Sequence, residues 1–128
     1  MARITVVNDY PAFLEMMQAM LGEAGHDVTT FDGDRASLAE IRATRPEVLI
    51  IDVMAKGEGS TGWDVIGLAR ADDDLRRVPI VVCTADVVQS QPRLEELERA
   101  GDIHVLQKPF SSAELHRMIG PLLDEDVS

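Results

Sequence analysis

Five short apolar runs alternate with helical patterns along the 128-residue chain, and this alternation constrains the fold more than any other feature. The runs span residues 4–7, 28–31, 48–51, 79–83 and 103–106. Three of them are almost continuous in valine, isoleucine and leucine, as is typical of parallel strands that are buried on both faces. The second run alternates polar and apolar residues, which indicates an edge strand. Strands and helices in this order predict a parallel sheet covered on both sides by right-handed crossovers.

Amphipathic patterns between the runs predict five helices, around residues 11–24, 38–41, 63–69, 94–100 and 115–122. Pro11 stands where a first-turn proline belongs, and Gly25 stands just past the end of the first helix. Residues 111–114 offer a capping box for the last helix. Pro121 lacks the amide proton that a helix interior needs, so we expect this helix to break or kink just before it.

Composition narrows the class of protein. The chain has 23 acidic and 12 basic residues, and its net charge of −11 argues against nucleic acid as a partner. The apolar runs are far shorter than the ~20 residues of a membrane span, and no signal-peptide pattern precedes the first strand. The single cysteine, Cys83, excludes an intramolecular disulfide and a cysteine-cluster metal site. We expect one cytoplasmic domain over residues 1–123, followed by a short acidic tail at 124–128.

Polar residues follow four of the five runs. Asn8 and Asp9 follow the first run, Asp52 the third, Thr84 the fourth and Lys108 the fifth. Ligands of open α/β sheets bind at the carboxyl ends of the strands, so these side chains are expected to share one edge. Two adjacent carboxylates repel unless a cation lies between them, and Mg²⁺ suits such a pair. An ammonium and a hydroxyl complement phosphoryl oxygens, so the pattern predicts phosphoryl chemistry at a carboxylate.

Two further pieces complete a family resemblance: Ala85 follows Thr84, and Pro109-Phe110 follows Lys108. With these pieces, the chain resembles the receiver domain of bacterial two-component response regulators over essentially its whole length. The resemblance implies a flavodoxin-like (βα)5 fold, with a doubly wound five-stranded parallel sheet in the order 2-1-3-4-5. It also implies a phosphoaccepting signalling domain of the single-domain type rather than an enzyme.

The resemblance assigns a role to each matching residue. Asp52 would accept a phosphoryl group from a phosphohistidine on a sensor histidine kinase or a histidine phosphotransfer protein. Asp9 and Asp52, with the backbone carbonyl of Met54, would bind Mg²⁺. Lys108 would pair with the phosphoryl oxygens, and Thr84 would move to bond one of them. The peptide bond between Lys108 and the following proline is expected to be cis.

Three features depart from the family pattern. Asn8 stands where the family usually has a second acid that touches Mg²⁺ through water, so the ion site is expected to be weaker but not abolished. Val105 stands where a switch tyrosine or phenylalanine is usual. The segment 55–62 replaces a shorter loop that follows the phosphoacceptor in the family.

The resemblance also places the output face. Such receivers signal through the surface of the fourth helix, the fifth strand and the fifth helix, which here includes Asp102, His104, Val105 and His116. No DNA-binding module is expected after the fifth helix, so the partner is expected to be a downstream protein. A homodimer through the same face is an open alternative.

Two other functions compete with the phosphoacceptor hypothesis. A degenerate receiver that binds or dimerises without phosphorylation is favoured by Asn8 and Val105. It is opposed by the retained residues Asp9, Asp52, Thr84 and Lys108. A nucleotide-cofactor enzyme depends only on the G-x-G-x-x-G match at 57–62. That match begins several residues after its strand, whereas the fingerprint follows its strand immediately, so we disfavour the enzyme.

Overall fold

The computed structural model describes residues 2–8, 10–32, 38–52, 61–84, 95–96, 99 and 102–123. The elements in chain order are β1 (Arg3–Asn8), α1 (Pro11–Glu23), β2 (Asp27–Asp32), α2 (Leu38–Ala43), β3 (Val48–Asp52), α3 (Thr61–Ala71), β4 (Ile80–Thr84), β5 (Ile103–Gln107) and α4 (Ser112–Leu123). The helix expected at 94–100 lies mostly outside the described residues, and the tail expected at 124–128 lies wholly outside them.

The five strands form one parallel sheet in the order β2-β1-β3-β4-β5. This order confirms the predicted doubly wound topology, and it places β2 at an edge, as the alternating pattern of that strand indicated. The chain reverses its direction of winding at β1, between β2 and β3. Ligands of such sheets bind at the carboxyl ends of the strands near this reversal.

Successive residues of the central strands enter two different cores. In β3, Leu49 and Ile51 join a cluster with Ile41 of α2 and Ile66 of α3. Val48 and Ile50 join a cluster on the other face, with residues of α1 and α4. All four strand side chains are fully buried, which explains why this run is continuously apolar. By the same alternation, Asp52 continues the α1 and α4 side of the sheet.

The helix ends follow the sequence signals, with one exception. Pro11 begins α1, and Gly25 follows its end with φ +91°. At the start of α4, the Glu114 N–H donates to Ser111 Oγ at 3.1 Å, and the Ser111 N–H donates to Glu114 Oε1 at 3.0 Å. These two bonds form the predicted capping box. The backbone hydrogen bond from Ser111 lowers the pKa of Glu114.

Of the break or kink expected just before Pro121, the break is wrong, because α4 continues to Leu123. A kink there stays a prediction. Pro121 lies in the last turn, where its missing N–H removes one intrahelical bond and leaves the preceding turns intact. Within the described ranges, no helix has the length and apolar character that a bilayer crossing requires.

Arg70, near the end of α3, fixes the starts of two strands. Its guanidinium donates to the backbone carbonyls of Leu75 at 3.3 Å, Arg76 at 2.9 Å, Val78 at 2.9 Å and Asp102 at 2.8 Å. Burial lowers the pKa of Arg70, but a guanidinium stays protonated at any pH a folded protein meets. The segment before β4 and the residue before β5 are therefore held by one cation.

His26 makes the stability of this fold depend on pH. The Ala2 N–H donates to His26 Nδ1 at 3.3 Å, and burial, with a smaller effect from His116, lowers the pKa of His26. The folded protein therefore binds fewer protons than the unfolded chain near pH 6.5, so the free energy of unfolding should fall as pH drops through 6.5 and level off below the lowered pKa.

Urea unfolding at several pH values between 7.5 and 5.0 measures this dependence. The variant His26→Asn keeps a hydrogen-bond acceptor but cannot titrate, so its stability should depend less on pH than that of the wild type. Equal pH dependence in the two proteins would rule out His26 as the source.

Candidate functional site

The parallel register brings the predicted site residues to one edge of the sheet. Asp52 ends β3 opposite Cys83, and Thr84 ends β4 opposite Gln107. The N–H of Lys108, the residue after β5, donates to the Thr84 carbonyl at 2.9 Å. The ends of three neighbouring strands therefore carry the predicted phosphoacceptor Asp52, the hydroxyl of Thr84 and the ammonium of Lys108.

Asp52 and Lys108 are in contact. The Lys108 ammonium forms an ion pair with Asp52 Oδ1, and the Asp52 carboxylate is only 3% exposed while the lysine side chain is 27% exposed. A carboxylate this buried needs a charge partner, because removal from water disfavours its ionised form. The Lys108–Pro109 bond is cis, as predicted. The arrangement can hold an anionic group at Asp52 with a cation beside it.

Asn8 is buried at the end of β1, with 2% exposure. Its Oδ1 accepts the Tyr10 N–H at 2.6 Å, which assigns the other end of the amide as the NH₂ group. Among the described residues, Nδ2 has no hydrogen-bond acceptor. Asn8 therefore brings a neutral donor to this edge, and only its oxygen, which has a second lone pair, can accept from a metal-bound water.

The neighbouring residues on β4 are also buried. Thr84 has no exposed surface. Burial, together with the Asp52 charge, raises the pKa of the Cys83 thiol to about 12. Because only the thiolate is a strong nucleophile, Cys83 is chemically inert at neutral pH. The carboxylate of Asp52 is therefore the nucleophile available between these two strands.

Sequence reasoning missed an aromatic pair beside Lys108. The Lys108 ammonium lies 5.0 Å from the centroid of the Phe13 ring. Phe13 in turn packs edge-to-face against Phe110, with ring centroids 6.2 Å apart and planes at 85°. The helical spacing of Phe13 predicted only a core position on α1, and both rings do pack against the core cluster of α1 and α4.

The residues expected on the output face divide between the two sides of β5. His104 Nε2 forms a hydrogen bond of 2.5 Å with Asp102 Oδ1. His104 also lines a groove of about 400 Å³ between β5 and α4. Val105 packs against the cluster on the α2 and α3 side, and His116 is half-buried on α4. The groove, here called the output groove, is lined by His104, Leu106, Glu114, Arg117, Met118, Pro121 and Leu122.

Part of the expected metal site is not described. Asp9 and Met54 lie outside the described residues. Within the described ranges, no group of three or more histidine, cysteine, aspartate and glutamate side chains is arranged to hold a metal ion. Of the two carboxylates expected to bind the metal, Asp52 is therefore the one that lies among the described residues.

A second cleft, of about 590 Å³, lies near the amino ends of the strands and is lined in part by Arg3, Arg42 and Arg45. Arg42 binds Asp72 at 2.6 Å, and Arg3 lies 3.7 Å from Glu47. Because two of its cations are already neutralised and none of the predicted site residues lines it, this cleft is not the candidate site.

Comparison with known proteins identifies the family. The response regulator receiver domain model matches residues 4–120. The chain is 36% identical over 118 residues to the DNA-binding response regulator MtrA of Mycolicibacterium smegmatis, covering 88% of this chain and 46% of that protein. It thus spans about half the length of the curated relatives it matches.

Solved structures agree with this assignment. The chemotaxis protein CheY4 of Vibrio cholerae superimposes with a TM-score of 0.81 and 28% identity, over 95% of this chain and 98% of that one. The receiver domain of the sensor histidine kinase PA1611 from Pseudomonas aeruginosa, which has a magnesium ion in its active-site cleft, gives 0.78 and 29%, over 97% and 98%. The chain therefore belongs to the response regulator receiver domain family, the signalling domains of two-component systems.

Proposed function

We propose that this receiver accepts a phosphoryl group on Asp52 from a phosphohistidine of a sensor histidine kinase or a histidine phosphotransfer protein. The observation that carries the proposal is the ion pair between Lys108 and the buried Asp52 carboxylate. A nucleophile with little water around it and a cation at its oxygen is prepared for an anionic electrophile. Positioning and charge neutralisation supply most of the catalysis in such transfers.

The transfer exchanges one bond to phosphorus for another. An oxygen of Asp52 attacks the phosphorus, a P–O bond forms, and the P–N bond to the donor histidine breaks. The donor imidazole leaves and takes up a proton from water at that nitrogen. The Lys108 ammonium has three donors, so it can stay at Asp52 while it also binds a phosphoryl oxygen. Thr84, buried on the adjacent strand, is proposed to bond another phosphoryl oxygen after the transfer.

The residues at this edge suit Mg²⁺. The Asp52 carboxylate and the Asn8 amide oxygen are hard oxygen donors, which Mg²⁺ prefers. We propose that Asp9, Asp52 and the Met54 backbone carbonyl bind the ion, and that Asn8 contributes weakly through water. When bound, the ion offsets negative charge on the phosphoryl group. Asn8 carries no charge, so the ion is held by fewer charges than in receivers with a second acid.

Loss of the proposed carboxylate ligand should weaken Mg²⁺ binding. We expect Asp9→Ala to weaken it by at least about tenfold, a loss seen even for outer-shell partners of metals. Thr84→Ala should bind Mg²⁺ as the wild type does, because the hydroxyl is assigned to phosphoryl oxygens. Mg²⁺ titration followed by the fluorescence of Trp63, the only tryptophan, measures both affinities. Equal affinities in the wild type and Asp9→Ala would refute the proposed ligand set.

A donor protein tests the proposed function itself. A histidine phosphotransfer domain carrying radiolabelled phosphohistidine should pass label to the wild type, and not to Asp52→Asn. A competing function is phosphorylation-independent binding, which is favoured by the neutral Asn8 amide at the site. Label retained entirely on the donor, with the receiver shown to be folded, would favour that alternative.

We propose the output groove as the surface that carries the signal to a downstream protein. It combines apolar Leu106, Met118 and Leu122 with charged side chains, which suits a protein partner. The strand β5 ends at Gln107, directly before Lys108. A new contact between Lys108 and a phosphoryl oxygen is therefore expected to act on this strand.

A phosphoryl mimic tests this link without a known partner. Adding beryllofluoride and Mg²⁺ should shift the backbone amide resonances of His104 and Leu106 in the wild type. The variant Thr84→Ala should confine the shifts to residues at the site. Shifts confined to the site in the wild type would contradict an output role for the groove.

A further inference from the structure

The ammonium of Lys108 has two partners of different kinds. It forms the ion pair with Asp52, and it also lies 5.0 Å from the centroid of the Phe13 ring. The negative face of an aromatic ring attracts a cation at such distances. The proposed function uses only the first partner, so the second contact has no assigned role.

The Phe13 ring is itself held in place. It lies edge-to-face with Phe110, a favourable geometry for two rings, and it packs against the core cluster of α1 and α4. Phe110 follows Lys108 by two residues, so the aromatic pair joins α1 to the segment that carries the lysine. A lysine has a flexible four-carbon stem, and an ion pair alone restricts its direction weakly. A fixed ring within cation–π distance adds a second restraint on the position of the ammonium.

We propose that Phe13 is a positioning residue, which holds the Lys108 ammonium at Asp52 before a phosphoryl group arrives. The role depends on the proposed phosphoacceptor function, because its consequence is a faster transfer to Asp52. A cation–π contact at a partly exposed site corresponds to a change in rate of about two- to tenfold. Phe13→Leu should therefore slow phosphorylation by that factor, and Phe13→Tyr should restore it.

Kinetics with a small phosphodonor separate positioning from packing. Phosphorylation of Asp52 by phosphoramidate, at saturating Mg²⁺, is followed in the wild type, Phe13→Leu, Phe13→Tyr and Met20→Ala. Met20 is the matched control, because it also lies on α1 and packs partly buried against the same cluster. We expect a slower rate only in Phe13→Leu, with an unchanged affinity for Mg²⁺. An equal rate in Phe13→Leu, an equal loss in Met20→Ala, or no rescue by tyrosine would overturn the proposal.

The lysine resonances give a second readout that needs no phosphoryl transfer. The chain has only two lysines, Lys56 and Lys108, so ¹³C-lysine labelling gives a simple spectrum. The ε-methylene of Lys108 should be shifted by the ring current of Phe13, and this shift should disappear in Phe13→Leu and persist in Phe13→Tyr. A Lys108 resonance that does not move in Phe13→Leu would overturn the contact. Failure of the wild type to be phosphorylated would instead refute the proposed function, and the resonance would still decide the contact.

Discussion

Replacing Lys108 by methionine is expected to lower the free energy of unfolding by about 2–4 kcal/mol at neutral pH, because a buried carboxylate loses its cation. The Asp52 carboxylate is 3% exposed, whereas the Lys108 side chain is 27% exposed. The partial exposure of the lysine makes the expected loss smaller than for a wholly buried pair. Methionine keeps an unbranched apolar side chain, so the change is mainly one of charge.

Urea unfolding with and without Mg²⁺ measures this effect. Mg²⁺ should stabilise Lys108→Met more than the wild type, because a divalent cation supplies part of the lost charge. Phosphorylation of the variant should also slow by about 10²-fold or more, the usual cost of removing one donor to a developing anion. Lys56→Met is the control, since Lys56 is the only other lysine. A Lys108→Met variant as stable as the wild type would contradict the ion pair.

Replacing Arg70 by alanine should lower the free energy of unfolding by about 2–4 kcal/mol, because one charged donor serves several backbone carbonyls. The guanidinium contacts four carbonyls at 2.8–3.3 Å. Three of them lie in the segment before β4, and the fourth belongs to the residue before β5. Some of these carbonyls can bind water once the side chain is gone, which limits the loss. Arg70→Lys should be intermediate, because an ammonium cannot span the same set of acceptors.

Thermal and urea unfolding of the Arg70 variants check this prediction. Arg70→Met keeps an apolar stem and removes the hydrogen-bond donors. If the carbonyl contacts matter most, this variant should lose nearly as much stability as Arg70→Ala. Arg117→Ala, an exposed arginine on α4, should change stability little. If Arg117→Ala loses as much stability as Arg70→Ala, the change in net charge, and not the carbonyl contacts, causes the destabilisation.

Much of the fold could be predicted from the sequence. The continuous run at 48–51 indicated a strand buried on both faces, and β3 enters both core clusters. The strand-end rule also placed Asp52 and Lys108 at one edge, where they form an ion pair. These predictions succeed because periodicity and register follow directly from backbone geometry. The expected break at Pro121 failed because the effect of a proline depends on how many helical bonds follow it.

The contacts that fix the site in detail could not be predicted. Phe13 has the same spacing whether its ring faces only core or also a lysine, so no pattern distinguishes the two. The hydrogen bond from the Tyr10 N–H to Asn8 Oδ1 likewise depends on how the chain turns after β1. In the sequence, Arg70 looks like any arginine at a helix end. Its acceptors, however, lie on segments up to 32 residues away along the chain. Such contacts come from tertiary packing, which local sequence does not encode.

The most direct test of the central claim is the intact mass of the protein after incubation with phosphoramidate and Mg²⁺, with Asp52→Asn treated in parallel. The proposed function predicts one added phosphoryl group on the wild type. This adduct should be absent from Asp52→Asn and lost when Mg²⁺ is removed by a chelator. A folded wild-type protein that gains no mass, or an Asp52→Asn variant that gains the same mass, would contradict the assignment of Asp52 as phosphoacceptor.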